Sequence, residues 1–331
     1  MGDVAMTVPV LRALVNQHPN IKITFVSKPF LAPLFDTIPN VTFYDAEVKN
    51  RHKGILGLFR LYKELKLLDI TYIADLHDVL RSKILRTYFK LSGYKIAVIN
   101  KGRAEKKALT RTVNKVFKPL KTSHQRYADV FEKLGFSVDL SNVIPIPKPE
   151  LSQNILTITG KKNRKWIGIA PFAAFNSKKY PLKLMEDVIF SLTYKEVDIF
   201  LFGGGEKEIA ILNGWERNYQ NTKNIAGTLS LRDELMLIAH LDIMVSMDSG
   251  NAHFSATQDV KTITIWGVTH PFAGFAPFNQ PKEYAILPDL KKYPNIPCSV
   301  YGNKVCKGYE NVMESIQPSE IVSKIEMILN H

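Results

Sequence analysis

From Asp242 to His253 the chain reads Asp-Ile-Met-Val-Ser-Met-Asp-Ser-Gly-Asn-Ala-His, the stretch with the most evident chemistry. Ile243 to Met247 is a mostly apolar run that feeds directly into Asp248, Ser249 and Gly250, and Ala252, Phe254, Ser255 and Ala256 continue with residues a helix accepts. A strand that hands a polar loop to the start of a helix sets free backbone N–H groups at the C-terminal edge of a parallel sheet, where they can hold a phosphate. The same residues fit a plainer arrangement, an Asp or Ser capping the helix with a satisfied histidine beside it. His253 and Ser249 are donors in the first case and packing or capping groups in the second.

Elements able to position such a loop recur along the chain. Gly2-Asp3-Val4 opens a helix whose apolar residues Val10, Leu11, Leu14 and Val15 fall at helical spacing. Strands are expected at Ile21–Val26, Val41–Tyr44 and Ile70–Leu76, with helices around Pro29–Phe35 and Ile55–Leu67 between them. Strands alternating with helices imply parallel βαβ units. Pro145, Pro147 and Pro149 then break the periodicity and read as a linker, which divides the chain into domains at 1–153 and 154–331. The second half repeats the grammar: Trp166–Ala170 leads to Lys178, Lys179, Tyr180 and Pro181, and Val197–Phe202 leads to Gly203-Gly204-Gly205-Glu206. Several strand ends thus present polar or glycine loops at one sheet edge, as a nucleotide site in an open α/β sheet requires.

Size and composition suit two soluble domains: 331 residues, 45% hydrophobic and 23% charged. No run approaches the ~18 apolar residues of a membrane span, and no signal-peptide pattern precedes the first motif, so the expectation is a cytoplasmic protein. The net charge of +13 is one-sided. Residues 1–155 hold 25 Lys and Arg against 13 Asp and Glu, whereas 156–331 hold 19 against 18. An anionic partner for the first half is the natural reading, with a merely solvated basic surface as the alternative. Cys298 and Cys306 have no His or carboxylate neighbours suited to zinc and are expected as inert or loosely redox-active thiols.

Much of the positive charge lies in residues 81–121. Arg81, Lys83, Arg86 and Lys90 stud one segment, and Arg103, Lys107, Arg111 and Lys115 step by four, which places them on one face of a single helix. Leu109, Val113, Val116, Phe117 and Leu120 would form the apolar stripe beside them. An amphipathic basic helix of this kind lies against anionic lipid, or else is an ordinary surface helix. Aromatic residues are not interleaved with these charges, so nucleic acid is not expected as a partner.

With these motifs assembled, the chain resembles the glycosyltransferase family that contains the ADP-heptose:lipopolysaccharide heptosyltransferases. The likeness runs through Gly2-Asp3-Val4 with Pro9, Asp75-Leu76 followed by Arg81-Ser82, Lys178-x-Tyr180-Pro181, Gly203-Gly204 with Glu206, Gly227, and Asp248-Ser249-Gly250 with His253. It implies a GT-B fold, two Rossmann-like α/β domains with parallel sheets facing a central cleft, the first binding acceptor and the second the nucleotide-sugar donor. It also implies an inverting transfer with no metal and no cofactor beyond the co-substrate. Asp3 matches the family's candidate base, for which a carboxylate is suited; its plainer role is to cap the first helix. Lys178 fits the cation facing the departing diphosphate, with Lys179 as the alternative, and Glu206 is placed to accept from ribose hydroxyls. The donor set is then Glu206, Asp248, Ser249, Gly250 and His253, and the acceptor or lipid-facing set Arg81, Arg103, Lys107, Arg111 and Lys115.

Two departures from the family pattern stand out. Tyr180 occupies a position where many members have Trp, and no strand precedes the Gly2-Asp3 loop. The latter leads to the expectation of a natural start upstream of Met1, with a short hydrophobic strand before Gly2. The resulting functional expectation is transfer of a sugar, heptose from ADP-heptose, to the core of lipopolysaccharide or a similar anionic lipid-linked acceptor, by a protein peripheral to the inner face of the cytoplasmic membrane. A nucleotide-sugar epimerase of the same fold and a non-catalytic binder of anionic lipid or RNA are the alternatives.

Overall fold

The computed structural model describes residues 1–142 and 144–330. The chain forms two compact units, one from residues 3–101 and 121–144, the other from 102–120 and the chain from 145 onward. The division therefore comes at Pro145, ahead of the 153/154 boundary expected from the proline run, and residues 102–120 belong with the second unit.

The first unit starts with α1 (Gly2–Ala5) and α2 (Val8–Gln17). Pro9 has no N–H to give to Ala5, so a continuous helix is disfavoured here and the chain breaks into two, with Thr7 Oγ1 donating to the Val4 carbonyl at 2.7 Å. Val10, Leu11, Leu14 and Val15 are all buried, as their spacing predicts. Then come β1 (Ile23–Ser27), β2 (Val41–Asp45), α3 (Gly54–Lys66), β3 (Tyr72–Asp75), α4 (Leu80–Leu91) and β4 (Lys95–Val98). β1 runs parallel to β2 and β3 parallel to β4; among the described residues these are two separate two-stranded sheets. The rings of Phe25 and Phe35 stack at 4.2 Å over the first pair. α3 buries Leu58, Leu61, Tyr62 and Leu65 in a core shared with Phe89 of α4.

The expected long basic helix is not formed. α5 (Arg103–Thr110) ends where Arg111 turns extended (ψ 153°), and Asn114 takes a left-handed φ of 52°. Arg103, Lys107, Arg111 and Lys115 therefore do not line one helix face. The cause is packing: Leu109 and Leu120 are buried with Ala273, and Leu120 N–H donates to the Phe272 carbonyl at 2.9 Å. Val113 is left 73% exposed, so the apolar stripe is absent too. Lys115 turns inward and donates to the carbonyls of Asn295 and Pro297 at 2.6 and 2.8 Å.

Burial lowers the Lys115 ammonium from 10.5 to about 8. Between those values the unfolded chain still holds a proton that the folded chain has released, so stability rises with pH across that window and the penalty is fully present below it. Comparing melting temperatures of wild type and Lys115→Met across the same pH range should show a shallower rise in the variant. Parallel curves would mean that Lys115 is not the group responsible.

α6 (Ser123–Leu134) returns to the first unit, capped by Thr122 at its start and by left-handed Gly135 at its end. The second unit continues through α7 (Gln153–Thr159), β5 (Lys165–Ala170), α8 (Leu182–Thr193), β6 (Val197–Leu201), α9 (Glu206–Asn218), β7 (Thr222–Asn224), α10 (Leu231–Ile238), β8 (Ile243–Met247), α11 (Gly250–Thr257), β9 (Thr262–Ile265), β10 (Ala285–Ile286) and α12 (Pro318–Leu329). Its strands form one six-stranded parallel sheet in the order β10-β9-β8-β5-β6-β7. All of β8, and all of β5 after Lys165, is buried, as near-continuous apolar runs in a doubly covered sheet should be. The order reverses between β5 and β8. Loops leaving the C-terminal ends of these two strands therefore border the crevice in which such sheets bind ligands.

Candidate functional site

In the second unit, Asp248 and Ser249 connect β8 to α11. Ser249, in the N-cap position, is extended and makes no side-chain cap; its hydroxyl pairs instead with Ser246 Oγ at 3.1 Å. Asp248 does not cap either. Its Oδ2 accepts from Thr269 Oγ1 at 2.9 Å and lies 2.8 Å from Lys178 Nζ. The plain capping arrangement is thus not adopted, and the first N–H groups of α11 receive no bond from the N-cap side chain.

Lys178 ends a short turn, Asn176–Lys178, on the loop after β5. It is Lys178, rather than Lys179, whose ammonium reaches Asp248. Its side chain is only 13% exposed. Behind it, Ser177 Oγ donates to the Gly302 carbonyl, and Gly302 N–H donates to Ser299 Oγ at 3.0 Å. Gly302 has a left-handed φ of 77°, and a Cβ there would run into the Lys178 methylenes. This loop is closed by a disulfide between Cys298 and Cys306, so the expectation of free thiols is corrected. The two are eight residues apart in sequence, and the turn brings their Cα atoms to 6.2 Å, within bonding reach.

His253 lies on α11, buried, with its Nδ1 lacking a protein hydrogen-bond partner. Burial, reinforced by the Lys178 charge, lowers the imidazole to about 3. It is therefore neutral near pH 7. An unpaired buried ring nitrogen costs free energy unless a ligand or water satisfies it.

Gly203, Gly204 and Gly205 leave β6 and open α9. Glu206, the expected ribose contact, is the exposed first residue of that helix. Glu208 turns back instead, its Oε2 accepting from Gly204 N–H at 2.9 Å. A carboxylate at the third helical position can reach the loop before the helix, and that offset was the signal for Glu208 in the sequence.

The first unit holds a separate group. Asp3 sits in α1, its side chain 64% exposed, with Oδ2 3.9 Å from His77 Nε2. The Tyr127 hydroxyl donates to the Asp3 carbonyl at 3.3 Å. His77 is carried by a turn that Asp75 organises: the Asp75 carboxylate accepts from the N–H groups of His77 and Asp78 at 3.0 and 2.8 Å and from Arg86 at 2.8 Å. Burial lowers the His77 pKa while Asp3 opposes that shift, and Lys101 and Arg81 act in the same direction as burial. His77 was visible in the sequence only as a strand-end residue.

The structure thus brings Lys178, Asp248, Ser249 and His253 to one end of the second sheet and pairs Asp3 with His77 in the first unit. It separates Lys115 from Arg103 and Lys107, which lie exposed on α5. A residue set beside a helix start with a fixed cation, a neutral imidazole and free N–H groups can hold a diphosphate.

The chain is 22% identical to lipooligosaccharide heptosyltransferase 2 of Campylobacter jejuni, across 99% of this chain and 96% of that one. Among solved structures, a glycosyl transferase family 9 protein from Veillonella parvula superposes with a TM-score of 0.75 at 20% identity, covering 99% and 94% of the two chains. The ADP-heptose lps heptosyltransferase II of E. coli gives 0.68 at 17% identity, covering 99% and 96%. The fold is accordingly the α/β GT-B fold of these enzymes. The family model for glycosyltransferase family 9 (heptosyltransferase) matches residues 58–300, and the chain belongs to that family of enzymes.

Proposed function

We propose that this enzyme transfers heptose from ADP-heptose to the core of lipopolysaccharide or a similar lipid-linked acceptor, with inversion at the anomeric carbon and without a metal, at the cytoplasmic face of the membrane. The observation that carries the reading is the largely enclosed Lys178 ammonium, 2.8 Å from Asp248 just before α11. The names of its relatives supply the donor and acceptor classes. In the proposed reaction the acceptor oxygen bonds to the anomeric carbon as the bond from that carbon to the diphosphate oxygen breaks on the opposite face. Asp3 takes the hydroxyl proton, and the charge left on the nucleotide diphosphate is met by Lys178, the α11 N–H groups and His253. Glu208 and Glu206 are the carboxylates available to the ribose hydroxyls.

The deciding test incubates purified enzyme, treated with a chelator, with ADP-heptose and a core acceptor lacking heptose, and follows both by mass spectrometry. Heptosylated acceptor with release of ADP is expected. Isomerised donor without transfer would replace the reading with an epimerase, and turnover only after metal is restored would overturn the metal-free part.

Gly302 gives a finer check. Gly302→Ala should weaken ADP binding about tenfold, equivalent to ~1.4 kcal/mol, by displacing the Lys178 stem. Gly308→Ala introduces the same strain at a φ of 81°, with open space around the added carbon, and should leave binding unchanged. Equal effects of the two by calorimetry would dissociate the loop from the site.

A further inference from the structure

One face of α3 carries side chains that its own unit does not cover. The inner face is buried as described, while Ile55 is 64%, Leu56 85% and Phe59 38% exposed. Arg60, Lys63 and Lys66 follow on the exposed side, so the outer surface passes from an apolar first turn to a basic last turn. Spacings of three and four keep Leu56, Phe59, Arg60 and Lys63 together on that side.

The charge is not offset. Glu64 is the only acidic residue from 48 to 68. It faces inward, accepting from the Tyr44 hydroxyl at 2.8 Å and paired with His52 Nε2 at 3.0 Å and with Arg51. α4 packs beside α3 through the Tyr88 and Phe59 rings, 5.3 Å apart, and the stretch 79–95 contains no Asp or Glu. It adds exposed Arg81, Lys83 and Lys90. Asp78 is nearly buried, bonded to Arg86 at 3.0 Å and 3.8 Å from Lys83 Nζ, so it offsets part of the Lys83 charge.

From this surface we infer that α3, flanked by α4, is the membrane-docking face of the enzyme: Ile55, Leu56 and Phe59 enter the headgroup boundary of an anionic bilayer while Arg60, Lys63 and Lys66 meet its phosphates. The choice of a lipid rests on the lipid-linked acceptor proposed above. Apolar tips combined with unopposed cations match a bilayer, whose surface is anionic outside and hydrocarbon beneath. An RNA groove would leave Ile55 and Leu56 in water, and would want bare aromatic faces. One face of the Phe59 ring is occupied by Lys63 Nζ at 4.8 Å from its centroid and Tyr88 packs against it edge-on, so what is exposed of it is not an open stacking platform. The docking face is thus on the first unit, whose residues 3–101 and 121–144 hold 18 Lys and Arg against 11 Asp and Glu, and not on the segment from Arg103 to Lys115.

The test is sedimentation of the full chain with vesicles of phosphatidylglycerol and phosphatidylcholine in equal parts, with no donor present, so that failure of sugar transfer cannot affect it. Wild type should bind these vesicles and not phosphatidylcholine alone. Ile55→Ser with Leu56→Ser should weaken binding by at least about tenfold, as should Lys63→Glu with Lys66→Glu. Arg103→Glu with Lys107→Glu should bind as wild type. Each variant must keep the thermal shift produced by ADP, which reads folding of the second unit, and the far-ultraviolet circular dichroism of wild type. Undiminished binding by the Ile55/Leu56 variant overturns the proposal, as does an equal loss in the Arg103/Lys107 variant. Tight RNA binding that the same substitutions abolish, or concentration-dependent dimerisation through this face, would assign it to those partners instead.

Discussion

Exchanging Asp3 for asparagine should lower sugar transfer by ~10²–10⁴-fold, the usual cost of losing a general base, while leaving ADP binding intact. Asparagine keeps the shape of the side chain but cannot take the acceptor proton. Little structural cost accompanies the change. The side chain is 64% exposed, and the bond from Tyr127 goes to the Asp3 backbone carbonyl, which the variant retains. Lys178, Asp248 and His253, the residues proposed to hold the donor, belong to the other unit and are untouched. Single-turnover rates with saturating donor, paired with an ADP titration, separate chemistry from binding. Transfer at the wild-type rate would remove Asp3 from the mechanism. His77, 3.9 Å from the same carboxylate, is expected to act through Asp3 by holding it in place. His77→Asn should therefore cost less than Asp3→Asn and add little to it in the double variant.

Lys178→Met should reduce transfer by ~10²–10³-fold, the effect of removing one preorganised group that meets developing negative charge. This substitution has a second consequence that must be separated from the first. Asp248 is 9% exposed at its side chain, and without the ammonium it keeps only the Thr269 bond in its pair of strong contacts. Breaking a buried ion pair by removing one partner destabilises by about 3–5 kcal/mol, so the single variant should also melt lower. Lys178→Met combined with Asp248→Asn removes both charges. It should recover most of the lost stability and none of the lost transfer. If the double variant transferred sugar at the wild-type rate, Lys178 would serve only to neutralise Asp248.

The elements that carry the site were legible because their signals are local. The buried run from Ile243 to Met247 followed by Asp248-Ser249-Gly250 could be read as a strand, loop and helix start, and β8 and α11 fall there. The end of α5 was not legible, because a four-residue spacing of cations continues unchanged through a turn at Asn114 that only the packing of Leu109 and Leu120 explains. Glu206 and Glu208 both follow the glycines, and which carboxylate folds back onto the loop depends on its position in the helical turn. The contact of Ser177 with Gly302 joins residues 125 apart, and nothing in either stretch announces the other. Nor does the spacing of Cys298 and Cys306 state that the turn between them closes tightly enough for a bond.

The pairing of Lys178 with Asp248 bears on how the enzyme sorts one phosphorylated ligand from another. A solitary lysine beside a helix start would attract any phosphate ester. Here the ammonium is already neutralised by a carboxylate, and the adjacent His253 carries no charge above its depressed pKa of about 3. Inorganic phosphate must compete with Asp248 for the Lys178 ammonium and has no second phosphate or ribose with which to compensate. A nucleotide diphosphate brings two phosphates and a ribose to the contest, so occupancy depends on the whole ligand rather than on its charge alone.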